Sequence, residues 1–376
     1  MHDQTFEVNQ SSNKSWLALL LGCGCAAFLA LTVIVAVCAY LIYPKVSQQL
    51  AMTSEAEAAS LKKFDQAMPA DAKAAFTRRP KSTPTIPFDQ VVETYEEFPV
   101  PDADKKLPLG WANVYVAKFG GHLKSYSSNE APGTRMSVRA YLPVDLPNDA
   151  KIPCVLLAPA GSNLLTGKDC DDYEYTDEIK PYVTAGMAVV HYSLDGSLDK
   201  ISARGKERAV PGQSAIFCKA HGGVINGQRA IDFVLKNFDQ IDSRKLYCAG
   251  HSSAATLSLQ LASTDPRISK CVAYAPAPSL EKRFADLKAD DLYVALPRLE
   301  LYVKQWSPDN RIPKFHCPVF IFHALDDSNT PYPDTKAFYD QLRAAGKKAK
   351  LVTAKRGGHY QAMIDEGIPA AIAWLK

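Results

Sequence analysis

The run Leu246–Ala255 reads Leu-Tyr-Cys-Ala-Gly-His-Ser-Ser-Ala-Ala and constrains the fold of this chain more than any other stretch. An apolar segment, Leu246 to Ala249, stops at Gly250, and small helix-forming residues run from Ala254 to Ala262. Ser252 lies on the turn between them. A strand that passes sharply into a helix forces its corner residue into a sparsely populated backbone conformation and lifts that side chain clear of the sheet edge. The Ser252 hydroxyl is therefore expected at the rim of a sheet, as a nucleophile. Small residues at 250 and 254 let helix and strand close around it. The pentapeptide by itself arises by chance; its strand and helix context gives it weight.

The rest of the chain supports a sheet of the matching kind. From Trp111 onward strand-like and helix-like segments alternate. Asn113–Phe119, His122–Ser127 and Met136–Leu142 read as an antiparallel opening. Strands are then expected at Ile152–Ala158, Met187–Leu194, the run before Ser252, Lys270–Tyr274, Pro318–His323 and Lys350–Ala354. Helices are expected at Asp172–Thr184, Ser214–Asn237, after Ser252, at Asp334–Ala345 and at Tyr360–Leu375. Such alternation predicts a mostly parallel sheet with helices on both faces, an α/β architecture. It pauses over 277–314, where an insert carrying Tyr293, Leu299, Tyr302, Val303 and Trp306 falls in the place of a short cap; core packing accounts for such aromatics equally well.

The 376 residues, 47% apolar, are enough for one large core without disulfides or metals. A net charge of +3, with basic residues scattered, excludes a nucleic-acid footprint. Residues 1–15 form a short N-terminal tail, and Trp16–Tyr43 carries no charge. As a helix that run spans roughly 40 Å, enough to cross a hydrocarbon core with some tilt. Lys14 and Lys45 bracket it, with Trp16, Tyr40 and Tyr43 at interfacial positions. It is too long for a cleaved signal peptide, and a lipoprotein reading at Cys23 leaves a long apolar run downstream. The expectation is a single-pass anchor in a lipid bilayer, with the domain beyond it extracytoplasmic. Residues 44–110 read as a stalk and a Pro-rich linker, and 111–376 as the catalytic domain. Of nine cysteines, Cys170 and Cys218 follow two strands expected to be neighbours, so a disulfide between them is a hypothesis.

Gly250-His251-Ser252-Ser253-Ala254 resembles the Gly-x-Ser-x-Gly nucleophile elbow of the α/β-hydrolases, with Ala254 at the last position. That resemblance implies an eight-stranded sheet and a catalytic triad in the order Ser, acid, His. After the strand Pro-Val-Phe-Ile-Phe, two acids, Asp326 and Asp327, are adjacent, and spacing does not choose between them. The stretch His323–Pro331 is similar to the His-Gly-x-x-Asp-x-x-Val-Pro pattern of prolyl-oligopeptidase-like hydrolases, with Ala324 for Gly and Thr330 for Val. It implies Asp327 as the acid and leaves Asp326 a solvated or capping role.

His359 lies on the Gly-rich loop Lys355–His359, just before the last helix, free to reach Ser252. Imidazoles in general titrate near neutral pH, which suits them to take a serine proton and return it to a leaving group. Of the other histidines, His251 belongs to the elbow, His191 to a strand, and His221 and His323 lack a matching partner pattern. An oxyanion hole needs two main-chain N–H groups. One is expected from Ser253, after the nucleophile. Ala158-Pro159-Ala160-Gly161-Ser162 resembles the family's His-Gly-x-Gly-Ser loop, which implies Ala160 N–H as the second, with Gly161 next in line.

The resemblance spans about Trp111 to Lys376. Dienelactone-hydrolase relatives share the framework but carry Cys at the elbow; this chain has Ser252. Oligopeptidases of the family carry a β-propeller, for which the linker region here is too short. Three readings follow: a membrane-anchored serine esterase acting through an acyl-enzyme, a prolyl-oligopeptidase-type peptidase, and a binding protein on a hydrolase scaffold. The partner expected is a small-molecule ester or peptide. No metal or cofactor is expected, since Cys-x-x-Cys, His-Glu-x-x-His and dinucleotide fingerprints are lacking.

Overall fold

Among the described residues six strands run parallel, and the inner ones are largely apolar because helices must cover them on both faces. Ala188–Tyr192 and Val319–Ala324 are buried at every position. The computed structural model describes residues 100–103, 105–119, 132–133, 135–170, 175–285, 296 and 299–376, all within the unit Ser82–Lys376. The expected tail, the membrane segment 16–43, most of the stalk and linker, and the strand His122–Ser127 lie outside the described residues. Among the described residues, no helix is long and apolar enough to cross a membrane.

The strands are β1 (Lys105–Leu109), β2 (Ala112–Lys118), β3 (Ser137–Pro143), β4 (Ile152–Leu157), β5 (Ala188–Tyr192), β6 (Ile241–His251), β7 (Ile268–Tyr274), β8 (Val319–Ala324) and β9 (Ala349–Ala354). They form one sheet in the order β1-β2-β3-β5-β4-β6-β7-β8-β9. Pairing is antiparallel from β1 through β3 to β5 and parallel from β5 to β9. Eight of the nine segments read as strands form β2 to β9; the ninth, His122–Ser127, is the one outside the described residues. One more, β1, extends the edge from the end of the Pro-rich linker, its Pro108 in register with Asn113. Proline is tolerated there because an edge strand has one side without a partner.

Among the described residues the α-helices of eight residues or more are α1 (Thr176–Thr184), α2 (Ala203–Lys219), α3 (Val224–Asn237), α4 (Ser253–Ala262), α5 (Leu299–Trp306), α6 (Tyr332–Ala344) and α7 (Ile368–Leu375). On one face α1 meets α7, and Phe320 packs on Trp374. On the other, α3 packs against α4, and α6 sits over β8, where Thr335 bonds His323. The single helix expected over Ser214–Asn237 is two, broken by a 3₁₀ turn at His221–Gly223. The helix expected from Tyr360 begins as a π turn, Met363–Gly367, that leads into α7.

Two further expectations meet the structure here. Cys170 and Cys218 are buried thiols that are not disulfide-bonded, so the hypothesised disulfide is not formed; the Cys170 Sγ–H donates to the Ser137 carbonyl at 3.3 Å. The described part of the 277–314 insert is packed core: Tyr302, Val303 and Trp306 are buried. It rests on α4, where the Gln260 side-chain amide donates to Tyr302 Oη at 3.2 Å and to the Trp306 carbonyl at 2.8 Å.

Candidate active site

The turn after β6 is as tight as its residues allow. A Cβ at Gly250 would lie 2.4 Å from the backbone of Ala254, so only glycine lets α4 start that close to the strand. With that room provided, the methyl of Ala254 is accommodated. Ser252 adopts φ 56° and ψ −119°, a strained conformation for a residue with a side chain. Its N–H donates to the Tyr274 carbonyl of β7 at 2.8 Å. Its carbonyl accepts from the N–H groups of Ala255 and Thr256, so α4 begins on the serine itself.

Asp327 sits on the turn after β8 with its side chain enclosed. Its Oδ1 accepts from the main-chain N–H of Asn329 at 2.8 Å and of Thr330 at 3.0 Å. Its Oδ2 accepts from the Thr330 hydroxyl at 2.8 Å and from His359 Nδ1 at 2.7 Å, and lies 3.1 Å from His323 Nε2. Burial by itself would raise the pKa of this carboxyl, but the bonds from His323, His359, Thr330 and Asn329 outweigh it and hold the group well below the usual carboxylate range.

His359 follows Gly357 and Gly358, whose φ values of 116° and 62° suit glycine. Asp326 is not simply solvated. Its carboxylate accepts the N–H of Gly357 at 3.2 Å and of Gly358 at 2.9 Å, clamping the loop that carries the histidine. With Nδ1 committed to Asp327, His359 Nε2 is buried and has no hydrogen-bond partner among the described residues. The Ser252 hydroxyl makes no hydrogen bond to a described residue either, so the aspartate–histidine half of the relay is bonded and the histidine–serine half is open. Such bonds commonly tighten only when substrate is bound. The two residues are neighbours through His251, whose ring centroid lies 4.5 Å from that of His359.

The loop after β4 faces the elbow. Ser162 N–H donates to the Ser253 hydroxyl at 3.1 Å, and the Ala160 carbonyl accepts from the Tyr175 hydroxyl at 2.8 Å. The Ala160 carbonyl is thereby turned to Tyr175, and the loop is tied to the first residue of α4. Ser253, Ala160 and Gly161 therefore share this corner of the molecule.

Three participants escaped the sequence reading. His323, at the end of β8, binds Asp327 and Thr335 while wholly buried. Thr330 adds a hydroxyl to the same carboxylate. His251 reaches across to the base loop: its Nε2 donates to the His359 carbonyl at 2.7 Å. Burial first, and then the neighbouring His359, push the His251 pKa down to about 4. The legible signal was that His323 and Thr330 both lie within the motif already singled out, four residues before and three after Asp327. His251 had only its place in the elbow to mark it.

Chemically, an imidazole fixed at one nitrogen by an ionised carboxylate and open at the other can accept a proton and hold the resulting charge. Among the described residues, no group of three His, Cys, Asp or Glu side chains is placed to hold a metal ion.

The prolyl oligopeptidase family model matches residues 226–375, which include Ser252, Asp327 and His359. No match was found among curated proteins. Solved structures of similar fold include the acylaminoacyl peptidase of Pyrococcus horikoshii, 14% identical with a TM-score of 0.54 over 71% of this chain and 41% of that one. Acetyl xylan esterase 1 of Thermoanaerobacterium sp. is 18% identical, with a TM-score of 0.51 over 72% of this chain and 84% of the esterase. Esterase 2 of Thermogutta terrifontis is 15% identical, with a TM-score of 0.52 over 72% and 95%. The chain thus spans about two fifths of the length of the acylaminoacyl peptidases it resembles.

Proposed function

We propose that this chain, a prolyl-oligopeptidase-like serine hydrolase of the α/β-hydrolase fold, cleaves a carboxylic ester through an acyl-enzyme intermediate. Ser252 attacks the carbonyl, His359 takes its proton through Nε2, and Asp327 holds the ring and stabilises the imidazolium. The N–H groups of Ser253 and Ala160 receive the developing oxyanion. His359 then protonates the leaving alcohol, and water releases the acid by the same steps in reverse roles. The observation that carries the reading is the 2.7 Å bond from His359 Nδ1 to Asp327 beside an unpartnered Nε2 and a serine at φ 56°. An alkoxide leaves more readily than an amine, so the ester makes the smaller demand on these groups.

Cleavage of a peptide is the second reading, favoured by the match of residues 226–375 to the prolyl oligopeptidase family. We further propose that residues 16–43 anchor the chain in a membrane with the catalytic domain extracytoplasmic. The support is an uncharged run bracketed by Lys14 and Lys45.

A fluorophosphonate probe should label the full chain, and labelling should vanish in Ser252→Ala. A panel of activated esters against aminoacyl anilides then separates the two readings: esters turned over at least ~100-fold faster support the first, the reverse order the second. No labelling of well-folded protein would point to a binding protein instead. The labelled protein should sediment with membranes and stay there after an alkaline carbonate wash; release by the wash would remove the anchor.

A further inference from the structure

We infer that His251, the residue just before the nucleophile, is a positioning residue that sets the base loop at its working height over the elbow. The inference rests on the reading of Ser252 and His359 as nucleophile and base. A loop with two consecutive glycines needs outside restraints to hold a side chain to within a fraction of an ångström. This one has three. Asp326 holds the N–H groups of Gly357 and Gly358, Asp327 holds the His359 ring, and His251 Nε2 donates to the His359 carbonyl at 2.7 Å.

The first two restraints come from the turn after β8. Among the described residues, the bond from His251 is the one hydrogen bond between the base loop and β6, the strand that leads into Ser252. Since His251 is covalently next to Ser252, any shift of the base loop relative to the elbow must stretch it. The side chain is enclosed, 5% exposed, and packs its ring 4.5 Å from His359 and 5.4 Å, edge-on, from Tyr360.

The contact also fixes the tautomer of His251. A carbonyl can only accept, so Nε2 carries the proton, and burial keeps the ring neutral at physiological pH. The titratable groups that act on it are His359, Asp327 and His323. A neutral partner is required, because His359 becomes positive when it takes the serine proton and a second positive ring 4.5 Å away would oppose that step.

Two variants of the full chain separate this role from simple packing. His251→Phe keeps a ring but loses the donor, whereas in His251→Gln the side-chain amide reaches the same carbonyl. With an activated ester, His251→Phe should lose about 10-fold in kcat with KM within about twofold, the effect of one lost hydrogen bond on the rate. His251→Gln should stay within about threefold of the parent. Equal loss in the two variants, or unchanged kcat in a folded His251→Phe, would overturn the inference. If His251→Phe does not fold, His251→Asn, whose amide falls one methylene short, takes its place with the same expectation. A second readout needs no turnover. In protein carrying isotope-labelled histidine, the downfield proton signal of His359 Nδ1–H should broaden or vanish in His251→Phe and persist in His251→Gln. Loss of Ser252-dependent labelling in the parent would sink the hydrolase reading and leave this signal to judge the clamp. A signal that persists unchanged in His251→Phe would sink the clamp alone.

Discussion

The turn after β8 and the first turn of α1 each bury a carboxylate, and the two are treated in opposite ways. Asp327 is surrounded by donors: two main-chain N–H groups, a hydroxyl and two imidazoles. Glu178, 3% exposed, makes no hydrogen bond to a described residue and has Asp177 beside it. Burial, joined by the charge of Asp177, pushes the Glu178 pKa up to about 8, whereas the donors around Asp327 drive its pKa far down against the burial of its side chain. The lesson is that enclosure does not decide the charge of a buried acid; the donors aimed at it do. The carboxylate bonded to His359 is wrapped in N–H and O–H groups. The one in the first turn of α1 is left to protonate.

The largest effect should come from Asp327→Asn. The amide preserves the volume but offers an N–H towards His359, favouring the wrong tautomer, so kcat on an activated ester should fall by about 10³-fold or more. Activity within tenfold of the parent would break the comparison, because Asp327 would then be no more than a structural acid.

Glu178→Gln tests the other side by stability. A pKa raised from the ordinary glutamate value to about 8 means that the native state keeps a proton that the unfolded chain has lost. The stability linked to Glu178 is therefore present below about pH 4 and declines as pH rises towards 8. Against the parent, Glu178→Gln should be near-neutral at pH 5 and raise the melting temperature by a few degrees at pH 8. A gain of equal size at both pH values would show that Glu178 does not titrate in this range.

Thr330→Val should give the smallest effect and the sharpest one. The two side chains match in shape, so the change removes only the hydroxyl that donates to Asp327 Oδ2 at 2.8 Å, at a cost of about 1 kcal/mol at pH 7. Here the sign is reversed. Because the folded pKa lies below the unfolded one, the stability linked to Asp327 is present above about pH 4 and lost as pH falls. The gap between parent and Thr330→Val in denaturant unfolding should therefore narrow on acidification below that value. A gap that does not depend on pH would mean that the hydroxyl serves the Ala275 carbonyl, 3.3 Å away, instead of the acid.

Much of the fold was legible because it rests on short-range patterns. Short, largely apolar runs rich in β-branched and aromatic residues, such as Val319–Ala324 and Ala188–Tyr192, favour strands covered on both faces, and both are buried strands. Gly250 and Ala254 announced the turn at Ser252 because the approach of α4 to β6 is a constraint within five consecutive residues. Less was legible where a local rule competed with packing. The prolines of the linker concealed β1, whose pairing with β2 is a tertiary event, and the glycines at 222 and 223 split a helix whose periodicity ran on across them.

By itself, the chain determined which residue types could do chemistry and in what order: a serine at a strand–helix corner, acids after a late strand, a histidine on a glycine loop. Those features are covalent or nearest-neighbour properties, and they travel with the sequence. The motif resemblance pointed to Asp327 for the imidazole; tertiary structure alone put Asp326 on the glycine amides and had His323, Thr330 and His251 brace the pair. Hydrogen bonds between residues 108 positions apart, as from His251 to His359, depend on where strands lie in a sheet. That order is set by the burial of the whole core and leaves no mark at either residue.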